Sequence, residues 1–111
     1  MEQINETELK RIVKNMKGKT IELKIDGVIS LDITMQKVKC SYNIKNGILN
    51  IYDNQADKRI TIETLIAYMI KASENKKTIE IKLDNDEDII MHIYKGNAPK
   101  FWIFDFLARA V

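Results

Sequence analysis

The chain has 111 residues, 45% of them hydrophobic and 31% charged, a composition that argues against disorder, collagen-like repeats and a disulfide scaffold and suits one folded domain over 1–111. Eighteen Lys and Arg against sixteen Asp and Glu leave a formal charge of +2, too small a bias for a general polyanion binder or for an acidic nucleic-acid mimic.

Asn5 is placed to cap a helix, with Glu8 three residues on to complete a capping box and Ile4 and Leu9 to staple across it. Leu9, Ile12, Val13 and Met16 recur at helical spacing and Gly18 suits a left-handed stop, so a surface helix is predicted over 6–17, laid against a sheet. From Lys19 the period changes to two. Ile21, Leu23 and Ile25 alternate with Thr20, Glu22 and Lys24 up to the turn dipeptide Asp26-Gly27, and Ile29, Leu31, Ile33 and Met35 continue the pattern. A third run sets Val38, Cys40, Tyr42 and Ile44 against Lys37, Lys39, Ser41, Asn43 and Lys45. Lys45-Asn46-Gly47 turns the chain into a short strand, Ile48 to Tyr52, followed by a polar loop.

Residues 59–73 fit both periods: Ile62, Leu65, Ile66, Met69 and Ile70 a helix, the even positions from Ile60 to Ala72 a strand. The β-branched and aromatic side chains favour strand through about 63; the near-repeat of 19–26 at 77–84, whose first copy follows a helix, adds weight to helix, and 64–73 stay open between helix and strand. Ile79 to Leu83 and Ile89 to Tyr94 make a hairpin about the acidic turn 84–88. After Pro99, Phe101, Phe104, Leu107, Ala108 and Val111 predict a short aromatic helix at the carboxy end. The expected architecture is α+β: an antiparallel sheet of six or seven strands, curled or partly closed into a barrel, with a helix at each terminus. In outline this resembles Sm-like small barrels. A helix over 64–73 would instead resemble the dimeric secretion-chaperone fold, and no motif carries residues over from either.

Little catalytic chemistry is available. Cys40 and His92 are the lone cysteine and histidine, so a disulfide and a His/Cys zinc cluster are excluded within the chain, and no cofactor is expected. Asp84-Asn85-Asp86-Glu87-Asp88 opens like a calcium loop, but Ile89 stands where the loop needs glycine and Lys95 where it needs a bidentate glutamate. Glu22-x-Lys24 and Glu80-x-Lys82 match the strand element of metal-dependent nucleases, a distant alternative that requires an aspartate brought close in space. His92 reads as a half-buried packing residue and Cys40 as a small hydrophobe. The polar start and the lack of a long apolar run predict no membrane span and a cytoplasmic setting. Ile, Lys and Asn, 43 of 111 residues, are types of A/T-rich codons, and suggest a phage or mobile-element source.

Two regions carry binding potential. No acidic residue occurs from Ile33 to Tyr52, while Lys37, Lys39 and Lys45 recur there as a basic stripe, a possible nucleic-acid contact whose face lacks the aromatic platforms expected for stacking single-stranded bases. Phe101, Trp102, Phe104 and Phe106 offer more bulky apolar surface than one helix stripe can bury, and suit a protein interface with a homodimer as the simplest form. The expected function is a non-enzymatic protein-binding module that self-associates, an inhibitor or accessory protein. Nucleic-acid binding by a small barrel is the alternative.

Overall fold

The capping residues start the first helix as the sequence predicts. In the computed structural model, which describes residues 1–53, 55 and 58–94, a two-residue strand β1 (Glu2–Gln3) leads into α1 (Glu6–Met16). The Asn5 side chain accepts a hydrogen bond of 2.9 Å from the Glu8 amide, a cap worth about 1 kcal/mol. The Glu8 carboxylate lies 3.2 Å from Arg11 one turn on. Leu9, Ile12, Val13 and Met16 are buried, and the chain leaves the helix through Gly18 at φ +81°, a conformation that costs glycine nothing.

The alternating stretches then pair antiparallel. β2 (Thr20–Asp26), β3 (Leu31–Met35), β7 (Ala67–Ala72), β8 (Thr78–Leu83) and β9 (Asp88–Tyr94) join β1 in a six-stranded sheet ordered β1-β7-β8-β9-β2-β3. β4 (Lys39–Asn43), β5 (Ile48–Tyr52) and β6 (Arg59–Glu63) form a separate three-stranded sheet. The crossing between the sheets is a bend in which Lys37 takes φ +50°, pinned where Gly18 donates to the Val38 carbonyl (2.8 Å) and Val38 to that of Lys19 (3.1 Å). The inward residues of both sheets, among them Ile21, Leu23, Leu49, Ile51, Ile79, Ile81 and Met91, meet the apolar stripe of α1 in one core, the dominant favourable term in folding.

Four expectations are corrected or bounded. The sheet of six or seven strands is two sheets of six and three, and neither closes into a barrel, because the bends at Lys37 and Thr64 divide what alternation alone joins. Residues 64–72 form a one-turn 3-10 helix (Thr64–Ile66) and then strand β7, so the helix that the secretion-chaperone outline requires is not formed there. The near-repeat does extend to three dimensions in one respect: β2 and β8, its two copies, flank β9. The predicted carboxy-terminal helix, with Phe101, Trp102, Phe104 and Phe106, lies outside the described residues. Among the described residues no helix is long and apolar enough to cross a membrane.

The registers give the molecule two dissimilar ends. Ile25 pairs with Leu31, Asp26 with Asp88, Ala67 with Leu83 and Asn43 with Ile48, so the turns 26–31, 43–48, 63–67 and 83–88 gather at one end. The opposite end holds the carboxy terminus of α1, the Lys37 bend, the start of β6 and the 73–77 turn.

Candidate binding surfaces

Cross-strand pairing, which sequence spacing does not display, assembles the first surface on the outer face of the three-stranded sheet. Lys39 on β4 stands opposite Tyr52 on β5, and Tyr52 opposite Arg59 on β6, so one row reads Lys39, Tyr52, Arg59. The Arg59 guanidinium carbon lies 5.1 Å from the centroid of the Tyr52 ring, within cation–π range. The next row is Ser41, Asn50, Thr61, and the Thr61 hydroxyl donates to Asn50 Oδ1 at 2.8 Å. Beside Tyr52 a shallow depression of about 640 Å³ is lined by Lys17, Gly18, Lys37, Val38, Lys39, Cys40 and Tyr52.

The predicted basic stripe is therefore only partly one site. Lys37 and Lys39 come together at the depression and are joined by Lys17 from the end of α1, whereas Lys45 sits in the turn at the far end of β4. Tyr52 and Arg59 are the residues that sequence reasoning missed. The signal was present in the turn Lys45-Asn46-Gly47: with Asn43 opposite Ile48, counting four residues away from the turn on each strand sets Lys39 opposite Tyr52.

A second surface occupies the end made of four turns. Of the eight large hydrophobics exposed among the described residues, seven lie there: Val28, Ile29 and Leu31 on the β2–β3 hairpin, Ile44, and Leu65, Ile66 and Tyr68 at the 3-10 turn. Ile29 at 71% and Leu65 at 70% are far more exposed than their chemistry favours. Hairpin tips are normally polar, so two adjacent aliphatic residues at a tip are not explained by turn geometry. Between these clusters runs a cleft of about 410 Å³ along β6 with mixed walls, Ile25, Ile62, Ile66 and Leu83 among the apolar residues and Arg59, Glu63 and Glu87 among the charged ones.

The remaining chemical candidates stay isolated. Cys40 is buried and its thiol donates to the Val13 carbonyl at 3.1 Å. Burial pushes its pKa above the ordinary value of 9.0, a rise partly offset by the Lys17 ammonium. His92 is half-buried, its Nδ1 3.2 Å from the Thr78 hydroxyl and its backbone opposite Glu22. Burial likewise raises the Tyr94 phenol, and the Glu22 carboxylate, to which that phenol donates, adds to the rise. Lys24 lies 3.9 Å from Glu22 on the same strand and Lys82 3.8 Å from Asp88. No group of three metal-ligating side chains forms among the described residues, so the nuclease pairs are not completed into an acidic cluster there. In comparisons with known proteins, the chain matches no family model, no curated sequence and no solved structure.

Proposed function

We propose that the chain is a non-enzymatic protein-binding module that associates with a second copy of itself through the end formed by the four turns. The observation that carries this reading is the segregation of seven exposed large hydrophobics to that one end. Apolar side chains scattered singly over a surface need no explanation, but a cluster of them gathered at one end of the molecule is the usual mark of an association surface. A two-fold contact suits it. The Val28-Ile29 tip of one copy can enter the cleft beside β6 in the other while the partner's tip does the reverse, so one patch serves both subunits.

Sedimentation equilibrium across a dilution series tests this with the intact chain, the double variant Val28→Ser/Ile29→Ser, Leu65→Ser and Trp102→Ala. The intact chain is expected to dimerise with little dependence on salt, since apolar contact is not screened. The tip variant and Leu65→Ser are expected to dissociate while keeping their thermal midpoints, because these side chains are exposed in the monomer. An intact chain that stays monomeric at every accessible concentration overturns self-association. A dimer lost only in Trp102→Ala moves the interface to the aromatic run 101–106 and overturns the assignment to the four-turn end.

A further inference from the structure

The face at the other end has a different chemistry. We infer that the outer face of the three-stranded sheet binds single-stranded nucleic acid, one base stacking at Tyr52 with the adjoining phosphates held by Lys17, Lys37 and Lys39. This inference rests on a different observation from the self-association reading, and its centre at Tyr52, Lys17, Lys37 and Lys39 lies away from the four-turn end, although Arg59 and Thr61 also line the cleft along β6.

Charge is the first argument. The depression beside Tyr52 is lined by three lysines and no carboxylate. Arg59 stands across the ring, and Lys58, whose ammonium donates to the Thr34 carbonyl at 2.9 Å, adds a further cation at the same end. Against these, the near acid among the described residues is Asp53, whose carboxylate accepts a long 3.4 Å bond from the Lys58 amide. A net charge of +2 spread evenly would attract no polyanion, but among the described residues the cations gather at the Lys39–Tyr52–Arg59 row while Glu63, the acid of the same face, stands two rows away, and this asymmetry gives a local field that does.

The aromatic ring separates a nucleic-acid site from a merely basic one. Stacking on a ring is available to any base because every base has a π-face, and it is absent from polyanions without bases. Arg59 already lies over the Tyr52 ring, so the ring's face admits a flat, planar group from the solvent side. A base can take that position, and the guanidinium it displaces is then free to meet a phosphate or to stack on the base in turn. One row further along β5, Ser41, Asn50 and Thr61 supply donors and acceptors to a base edge or a sugar, at the spacing of one cross-strand row. A duplex fits less well, since its bases are stacked on one another and cannot reach a ring lying on a sheet.

The test measures fluorescence anisotropy of a labelled oligonucleotide of about 12 residues, titrated with the full chain at about 50 mM salt. Competitors are the matching duplex, heparin, and polyglutamate as the protein-like anion. Tyr52→Ala should weaken single-strand binding by about five- to a hundredfold while Tyr52→Phe leaves it nearly unchanged, because stacking needs the ring and not the hydroxyl. With about three phosphates neutralised, the log affinity should fall against log salt with a slope of about −2, and the double change Lys37→Gln/Lys39→Gln should cut that slope by more than half. Lys45→Gln, at the far end of β4, should alter neither. Absence of binding by the intact chain overturns the proposal. So does equal competition by heparin or polyglutamate with Tyr52→Ala binding as the intact chain does, which would mean general polyanion or protein contact. A duplex that competes as well as the single strand overturns it too. Circular dichroism on each variant ensures that lost binding reflects the face and not the fold.

Discussion

The phenolic oxygen of Tyr42 lies 2.9 Å from the hydroxyl of Thr64, and the two residues tie the middle of β4 to the 3-10 turn that ends the three-stranded sheet. The direction of these bonds can be assigned. The Thr64 hydroxyl donates to the Gly47 carbonyl at 2.8 Å, which commits its single proton, so Tyr42 must be the donor to Thr64. Both residues are buried, and the Thr64 amide also donates to the Gly47 carbonyl at 2.7 Å.

An asymmetry between two variants follows. Thr64→Val keeps the volume but leaves the buried Tyr42 hydroxyl without its acceptor, at a cost of about 1–3 kcal/mol. Tyr42→Phe removes the donor and leaves Thr64 still bonded to Gly47, at about 1 kcal/mol. The double variant should cost little more than Thr64→Val alone, because the group left unsatisfied is then gone. Urea denaturation of all four proteins gives the coupling directly. Strict additivity would mean that the bond contributes nothing.

Gly18 and Gly47, the two glycines with positive φ among the described residues, should respond unequally to alanine. Gly18, at φ +81°, has open space around a built Cβ, so Gly18→Ala meets only the left-handed backbone penalty, about 1–2 kcal/mol. At Gly47, φ +70°, the new Cβ would fall 2.6 Å from Leu65 Cγ and 3.0 Å from the Leu65 nitrogen and Thr64 Oγ1. Leu65 can rotate away; its backbone and Thr64 cannot move as cheaply. Gly47→Ala should therefore destabilise by more than Gly18→Ala, and should also weaken the proposed self-association by displacing Leu65. Equal losses of stability in the two variants would contradict the crowding at Gly47.

These same residues explain what the sequence made legible. Elements with one strong periodicity were readable: α1 from its cap and 3.6-residue stripe, and β2, β8 and β9 from alternation closed by polar turns. Thr64 to Ile66 was not, because one 3-10 turn inserted between two strands lets both periodicities match the same run of isoleucines. The division into two sheets depends on one left-handed residue, Lys37, a type with no preference for that conformation and so no local signal. The basic stripe was legible as composition but not as a site. Its aromatic partner lies thirteen residues after Lys39 and is brought beside it only by the β4–β5 register.

Alkaline stability gives the last prediction, through Cys40. Its thiol is buried and bonded to the Val13 carbonyl, so the folded protein holds the proton above the ordinary value of 9.0 that the unfolded chain follows. As pH rises through 9.0, the unfolded state therefore binds fewer protons than the native state, and the stability gradient, set by unfolded minus native protons, is negative. Stability is fully present below 9.0, declines above it, and levels off for this group once pH passes the raised native value. Tyr94 has the same sign from its ordinary value of 10.0 and deepens the decline at the upper end. Urea midpoints measured at intervals from about pH 7.5 to 10.5 should show a falling limb from the thiol range onward. Cys40→Ala should start lower, having lost a packed side chain and its bond, yet lack the fall that begins at 9.0 and keep the later one from Tyr94; Tyr94→Phe should remove part of the upper decline. Lys17→Gln should extend the falling limb, since the ammonium that partly offsets burial is then gone and the native thiol holds its proton higher still. Curves for Cys40→Ala and the intact chain that run parallel across the thiol range would show that the thiol titrates alike in both states, and that burial at this site does not control its charge.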